Sequence, residues 1–151
     1  MLNDSLKTKG VLELKLLDAF GNVKERHEHN VVVNSGLAYI ASRMKDATTG
    51  VMTHMGVGTS SATPTDKAQT GLTAQLVRVG LDSTTLVTTT ATNDAIQYIA
   101  TFSPGTGTGA ITEAGIFNAA SAGTMLCRTV FDVINKGALD TLVVTWKVTV
   151  A

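Results

Sequence analysis

The sequence predicts a mainly β protein: an antiparallel β-sandwich of about eight strands with one short helix. Three observations carry that expectation. Several segments alternate apolar and polar residues with period two, the mark of strands buried on one face. Turn-forming residues separate these segments at regular intervals, as sandwiches require. A single segment, Leu37, Ile40, Ala41 and Met44, has helical spacing instead. The chain has 151 residues, which suits one domain with a real core. Neither an internal repeat nor a second domain is visible, so residues 10–151 are expected to form one sandwich behind an extended N-terminal arm, residues 1–9.

Taken in order, Leu12, Leu14 and Leu16 share one strand face, with Glu13 and Lys15 on the other. Asp18-Ala19-Phe20-Gly21-Asn22 has turn chemistry. Val23 to Val33 then reads as the return strand of a hairpin. Its middle, Lys24 to Asn30, is polar on both faces, which places it in solvent, at a sheet edge or against another subunit. Asn34 or Ser35 is expected to cap the helix, and Thr48-Thr49-Gly50 to end it. Val51 to Val57 reads as an apolar strand and Gly58 to Gly71 as a long loop. Leu72 to Arg78 fits either a helical turn or an extended link. Thr84 to Ala91 and Ala95 to Phe102 read as strands joined by a tight turn at Asn93-Asp94. Ile111 to Asn118 and Met125 to Phe131 form a further hairpin around Ala119 to Gly123. Thr141 to Val150 is the clearest amphipathic strand, with Trp146 among its apolar positions.

Composition narrows the function classes. Charged residues make up 16% and the formal net charge is zero. Nucleic acid is therefore not an expected partner, because phosphate binding needs an excess of Lys and Arg on one face. Low charge also leaves little repulsion between copies. No run approaches the ~18 apolar residues of a membrane-spanning helix, and no membrane partner is expected. The N-terminus lacks the apolar core and cleavage site of a signal peptide. With one cysteine, Cys127, no intrachain disulfide can form, and the residue reads as a small buried hydrophobe.

Candidate chemistry is sparse. Gly56-Val57-Gly58 resembles the start of a dinucleotide fingerprint, but the third glycine and the following helix are missing. Gly105 to Gly109 lacks the Lys-Ser/Thr pair of a phosphate loop. His27 and His29 share a strand face with Glu25, a triplet able to bind a divalent metal, yet nothing supplies a fourth ligand. No nucleophile, acid or base carries a local catalytic motif. No catalytic residue, cofactor or metal is therefore expected. Glu113 and Arg128 stand out as charges within apolar strands, placed to approach each other across their hairpin as a structural or intersubunit ion pair. With Trp146 and the polar hairpin residues Arg26, His27 and His29, they are the expected structural or interface residues.

The order of motifs adds a resemblance. Val32-Val33-Asn34-Ser35-Gly36-Leu37 precedes His54-Met55-Gly56-Val57-Gly58-Thr59. A Pro-containing loop and Leu72 to Arg78 come next; Ile111-Thr112-Glu113-Ala114-Gly115-Ile116-Phe117-Asn118 follows, then Met125-Leu126-Cys127-Arg128, Phe131, Lys136 and the Trp146 strand. This succession resembles small structural proteins of tailed bacteriophages, and is similar to the N-terminal domain of phage tail-collar fibre proteins. The resemblance implies a place in the virion, assembled in the host cytoplasm, and no enzyme activity. Unlike a fibre, the chain shows no repetitive shaft after its last core strand. A capsid decoration (cement) protein is therefore the leading expectation, with the major capsid protein as partner and a homo-oligomer, by analogy a trimer on threefold sites. A tail, collar or baseplate adaptor holding a separate fibre is the alternative. A carbohydrate-binding sandwich is disfavoured by one Trp and two Tyr. In the leading expectation the arm, the hairpin around 18–30 and the loop 58–71 contact the shell.

Overall fold

The computed structural model describes residues 7–150. Ten strands and one helix build two five-stranded antiparallel sheets packed face to face. The first sheet contains β1 (Thr8–Leu17), β2 (Val23–His29), β6 (Ser83–Val87), β7 (Ala95–Phe102) and β10 (Thr141–Val150), in the order β2-β1-β10-β7-β6. The second contains β3 (Val31–Val32), β4 (His54–Gly58), β5 (Gln75–Gly80), β8 (Gly109–Phe117) and β9 (Met125–Lys136), in the order β3-β9-β8-β4-β5. Helix α1 (Asn34–Lys45) packs on β9.

The mainly β antiparallel sandwich follows the sequence pattern, and the strand count is corrected from eight to ten. β10 alternates as expected: Leu142, Val144, Trp146 and Val148 are buried between the sheets. They meet Leu12 and Leu14 of β1, Tyr98, Ala100 and Phe102 of β7, and Met55, Val57, Ala114 and Ile116 from the facing sheet. The arm expected at residues 1–9 ends earlier, because Thr8 and Lys9 already pair with Val150 and Thr149 in β1. Residues 1–6 lie outside the described residues.

The return strand expected over Val23 to Val33 is two strands in different sheets. Asn30 stands at the break. Its backbone N–H donates to the Gly10 carbonyl at 3.2 Å and its side-chain Oδ1 accepts from Trp146 Nε1 at 3.1 Å. Gly10 is required here, since a Cβ would lie 1.3 Å from Asn30 Oδ1. The chain thereby crosses from the edge of the first sheet to the edge of the second.

The helix differs from expectation at both its cap and its face. Val33 occupies the cap position with no side-chain hydrogen bond to the helix. Ser35 Oγ instead donates to the Met125 carbonyl at 2.8 Å, and the Asn34 N–H donates to the Lys67 carbonyl at 2.8 Å. Leu37 and Met44, expected to pack down, are 40% and 79% exposed. Gly36 is the buried helical residue, with Tyr39 and Ile40 against the core. Closeness explains the change of face. A Cβ on Gly36 would lie 1.9 Å from the Leu126 carbonyl oxygen, so the helix backbone rests on β9 itself.

Gly36→Ala is accordingly expected to destabilise the fold by about 1–3 kcal/mol, the usual cost of overpacking. Inside an unconstrained helix the same change stabilises by up to ~1 kcal/mol. The sign of the shift in the denaturation midpoint decides between the two.

Further along, Val51 to Thr53 precede β4 and do not belong to it, and the undecided stretch Leu72 to Arg78 becomes a link followed by β5. β9 runs five residues beyond Phe131, to Lys136, whose buried ammonium donates to the Ser103 carbonyl at 3.0 Å. Burial pushes the Lys136 pKa down. The connection between β6 and β7 is braced by Thr88, whose Oγ1 accepts the Asn93 N–H at 3.1 Å, and above all by Asp94. The Asp94 carboxylate accepts the N–H groups of Ala91, Thr89 and Thr90 and the Thr89 hydroxyl, all at 2.7–2.9 Å. These bonds, that of Ala91 foremost, hold its carboxyl well below the usual carboxylate range.

The sign of the pH dependence follows. A depressed folded pKa contributes stability above the unfolded value of about 3.9, and that stability is lost as pH falls toward the folded value. Asp94→Asn is expected to melt below the parent at neutral pH. The gap should narrow as the pH drops below about 4. Melting temperature against pH for both proteins measures it, and a gap independent of pH would refute the assignment.

Candidate functional site

The expected charge pair is assembled on the outer face of the second sheet. Its register shifts between β8 and β9: Ile111 stands opposite Ile134, but Glu113 opposite Val130. Ile111, Ala114 and Ile116 all point into the sandwich. The irregularity at Thr112 therefore changes the parity of β8 and turns Glu113 outward. Arg128 stands opposite Gly115, diagonal to Glu113 on that same face.

The outer face at this point is not solvent. Residues 59–74 cross over it, and both charges are buried beneath them, at 0% and 2% exposure. Arg128 Nε and Nη2 donate to Glu113 Oε2 at 3.0 and 2.7 Å. Its Nη1 donates to the Thr63 carbonyl at 3.2 Å and its Nη2 to the Ala62 carbonyl at 3.1 Å. Glu113 Oε2 accepts the Thr73 N–H at 3.1 Å and Oε1 the Ala74 N–H at 2.7 Å. One ion pair thus satisfies four backbone groups of the crossing segment, two near each end. Burial without those partners would be strongly unfavourable.

The neighbouring glycines belong to the same arrangement. Gly56 of β4 pairs with Gly115 of β8, and both lie under Leu72 and Phe117. A Cβ on either glycine would come within 3.1–3.2 Å of those side chains. At Gly58 a Cβ would stand 2.5 Å from Glu113 Oε1 and from the Ala74 carbonyl oxygen. Gly56-Val57-Gly58 and Glu113-Ala114-Gly115-Ile116-Phe117 are therefore two halves of one device. The glycines make a flat floor, Leu72 fills it, and the carboxylate pins the chain that delivers Leu72. Arg78 closes the far side: its guanidinium carbon stands 3.5 Å from the centre of the Phe117 ring. It also donates to the carbonyls of Ala119 and Ala122, each at 2.9 Å. Sequence reasoning missed Arg78 and Leu72, which fell in the stretch it left undecided.

The other expected residues are dispersed. Trp146 is fully buried in the sandwich core, bonded to Asn30. Arg26 is not free for a partner. It stands opposite Leu14, half-buried, and its guanidinium donates to the Asp132 carbonyl of β9, joining the two sheets along one open side. The polar strand is an edge strand, one of the places expected for it: Arg26 and Glu28 are half-buried, while Lys24, Glu25, His27 and His29 are exposed. Glu25 pairs with Lys15 at 3.4 Å. Among the described residues no three His, Cys, Asp or Glu side chains gather as a metal-binding group. Cys127 lies in the core, where burial pushes its thiol pKa up.

Two exposed residues gave no signal in the sequence. Phe20 is 92% exposed and Leu139 is 70% exposed, each at the tip of a turn. The turns emerge side by side, since Leu17 and Thr141, which flank them, are cross-strand partners. Each is braced by an aspartate. Asp18 Oδ1 accepts the N–H groups of Phe20 and Asn22 at 2.9 Å, and Asp140 Oδ2 accepts the Gly137 N–H at 2.7 Å. Hydrogen bonding from Asn22, its side chain foremost, lowers the Asp18 pKa.

The chain matches no family model, no curated protein and no solved structure. No helix among the described residues is long and apolar enough to cross a membrane.

Proposed function

We propose that this protein is a tailed-bacteriophage decoration protein that binds the outer surface of the head and stabilises the shell, with the major capsid protein as its partner. The observation that carries the reading is the pair of braced turns presenting Phe20 and Leu139 to solvent at one end of the sandwich. Large apolar side chains held rigidly in water lose little entropy on docking and gain by burial. The order of motifs, similar to that of phage structural domains, supplies the class of partner. The loop 58–71, first considered as a shell contact, lies in the segment fastened to the sheet by Glu113 and Arg128. The hairpin around 18–30 stays a contact through Phe20 at its turn, joined by Leu139. The mechanism is linkage: a protein that binds the assembled shell and not its separated parts stabilises the shell by mass action.

The test is binding of Phe20→Ser/Leu139→Ser to shells stripped of this protein. Occupancy is expected to fall about tenfold or more, equivalent to ~1.4 kcal/mol, with the melting temperature of the free protein unchanged. Full occupancy by the variant would remove the turn tips from the contact. Copy number in purified virions tests the class. A decoration protein occurs in hundreds of copies, whereas a tail, collar or baseplate adaptor occurs in a few to tens.

A further inference from the structure

β2 is an edge strand with no strand beyond it among the described residues. At seven residues it is the longest strand that ends a sheet, against six in β5, five in β6 and two in β3. Free edges are ordinarily blunted by shortness, by proline, by a bulge or by charge. β2 contains no proline, and it pairs with β1 from Val23 to His29 without a shift of register. Its charges alone remain to decide what can pair with it.

The backbone groups that face outward follow from the register. The Asn30 N–H donates to the Gly10 carbonyl and the Asp18 N–H to the Asn22 carbonyl. Between those two points Glu28, Arg26 and Lys24 stand opposite Leu12, Leu14 and Leu16. Antiparallel pairs alternate between bonded and non-bonded, so the even-numbered residues direct their backbone groups to β1. The N–H and C=O groups of Glu25, His27 and His29 therefore point away from the sheet. The Thr129 hydroxyl meets the His29 carbonyl there at 2.9 Å, and a carbonyl can accept a second bond.

A second copy of β2 is the strand that fits this edge. Two identical antiparallel strands related by a twofold axis set the residue on the axis against its own copy. In the run Lys24-Glu25-Arg26-His27-Glu28 every residue except His27 carries a formal charge. An axis at any of the other four sets like charges face to face, which destabilises a sheet pair. An axis at His27 avoids this. It places Glu25 against His29, carboxylate against imidazole, on the exposed face. Arg26 comes opposite Glu28 on the half-buried face, where it keeps its bond to the Asp132 carbonyl and meets no like charge. The same axis aligns the outward backbone groups, His27 with its own copy and Glu25 with His29.

We propose that β2 pairs with β2 of a second copy of this chain, antiparallel about a twofold axis at His27. The two five-stranded sheets then join into one continuous sheet. The charges act as a register code that rejects foreign or shifted strands and accepts the strand's own copy. This inference concerns the protein in solution and is independent of the phage reading. The twofold pair also differs from the threefold assembly expected by analogy.

The experiment is sedimentation equilibrium on the full chain and three variants. The parent is expected to form a dimer that dissociates on dilution. His29→Glu sets a second carboxylate against Glu25 of the other copy, and should raise the dissociation constant about tenfold. Adding Glu25→Lys to it restores opposite charges and should recover most of the affinity. The exposed pair with Lys15 that this change removes contributes little to the fold. His27→Pro deletes an outward N–H that β1 does not use, and should leave a folded monomer. The charge exchange decides the matter should the proline variant fail to fold. Amide exchange gives the local reading: the N–H groups of Glu25, His27 and His29 should be protected in the dimer and exposed in the monomer. A parent that is monomeric at every concentration, or a trimer, would overturn the proposal. So would a dimer indifferent to His29→Glu or to a folded His27→Pro, or a loss that Glu25→Lys does not recover.

Discussion

Glu113→Ala is expected to lower the stability of this protein by about 3–5 kcal/mol, the range for removing one partner of a buried ion pair. For a chain of this size that is a fall in melting temperature of roughly 6–20 °C. The substitution leaves the Arg128 guanidinium buried beside an empty position, and leaves the N–H groups of Thr73 and Ala74 without their acceptor. Arg128→Ala has the mirror consequence, with the Glu113 carboxylate unpaired and the carbonyls of Ala62 and Thr63 without their donor. Many buried ion pairs can be replaced by apolar residues at no loss. This one differs, because four backbone groups of the covering segment depend on it. Glu113→Leu/Arg128→Met is therefore expected to remain destabilised, though by less than the two single changes summed. Guanidinium denaturation gives the energies. Limited trypsin digestion supplies the local readout: Lys67 lies within the covering segment, and its carbonyl is bonded to the start of α1. Cleavage after Lys67 should accelerate in each variant. Parent-like cleavage with a parent-like midpoint would show that the pair does not fasten the segment.

This pair also marks how far the sequence could be read. A charge within an apolar strand signals a required partner, and the hairpin spacing of Glu113 and Arg128 brings them within reach of each other. What the pair holds is not visible in the sequence. Its backbone partners lie about forty and sixty-five residues away, and nothing in Ala62-Thr63 or Thr73-Ala74 distinguishes these residues from ordinary loop. β10 was legible for the opposite reason: it is buried on one face only, so period two survives along it, and β7 follows the same pattern from Tyr98 to Phe102. Where residues 59–74 cover them, β8 and β9 are buried on both faces, so buried residues fall at odd and even positions alike and period two does not tell which face carries what. The helix misled because Gly36, with no side chain to count in any apolar pattern, sets its contact face. Of the apolar turn tips, Phe20 lay within a hairpin expected as a contact but was read there only as part of a turn, and Leu139 gave no signal.

Trp146→Ala is expected to cost about 3–5 kcal/mol, the range for truncating a large buried aromatic. Trp146 sits at the centre of β10, the middle strand of the first sheet, with Leu12 on one side and Tyr98 on the other as cross-strand partners. Truncation leaves a cavity that strands paired on both sides cannot close. Trp146→Phe separates packing from hydrogen bonding. It keeps most of the buried ring but removes the N–H that Asn30 Oδ1 accepts. Among the described residues Asn30 Nδ2 has no partner either. The phenylalanine variant would thus strip the side chain of its one bond at the point where the chain crosses between sheets. An unsatisfied buried group costs about 1–3 kcal/mol, so the phenylalanine variant should fall between parent and Trp146→Ala. Chemical denaturation followed by circular dichroism is the measurement, because the chain has a single Trp and both variants lose intrinsic tryptophan fluorescence. In the parent that same property is an advantage. Its emission reports the core around Trp146 alone, and should be blue-shifted when folded and move to the red in one cooperative step with the loss of ellipticity. A Trp146→Ala cost below about 1 kcal/mol, the order of one buried methylene, would mean that the centre of the sandwich is not where β10 places it.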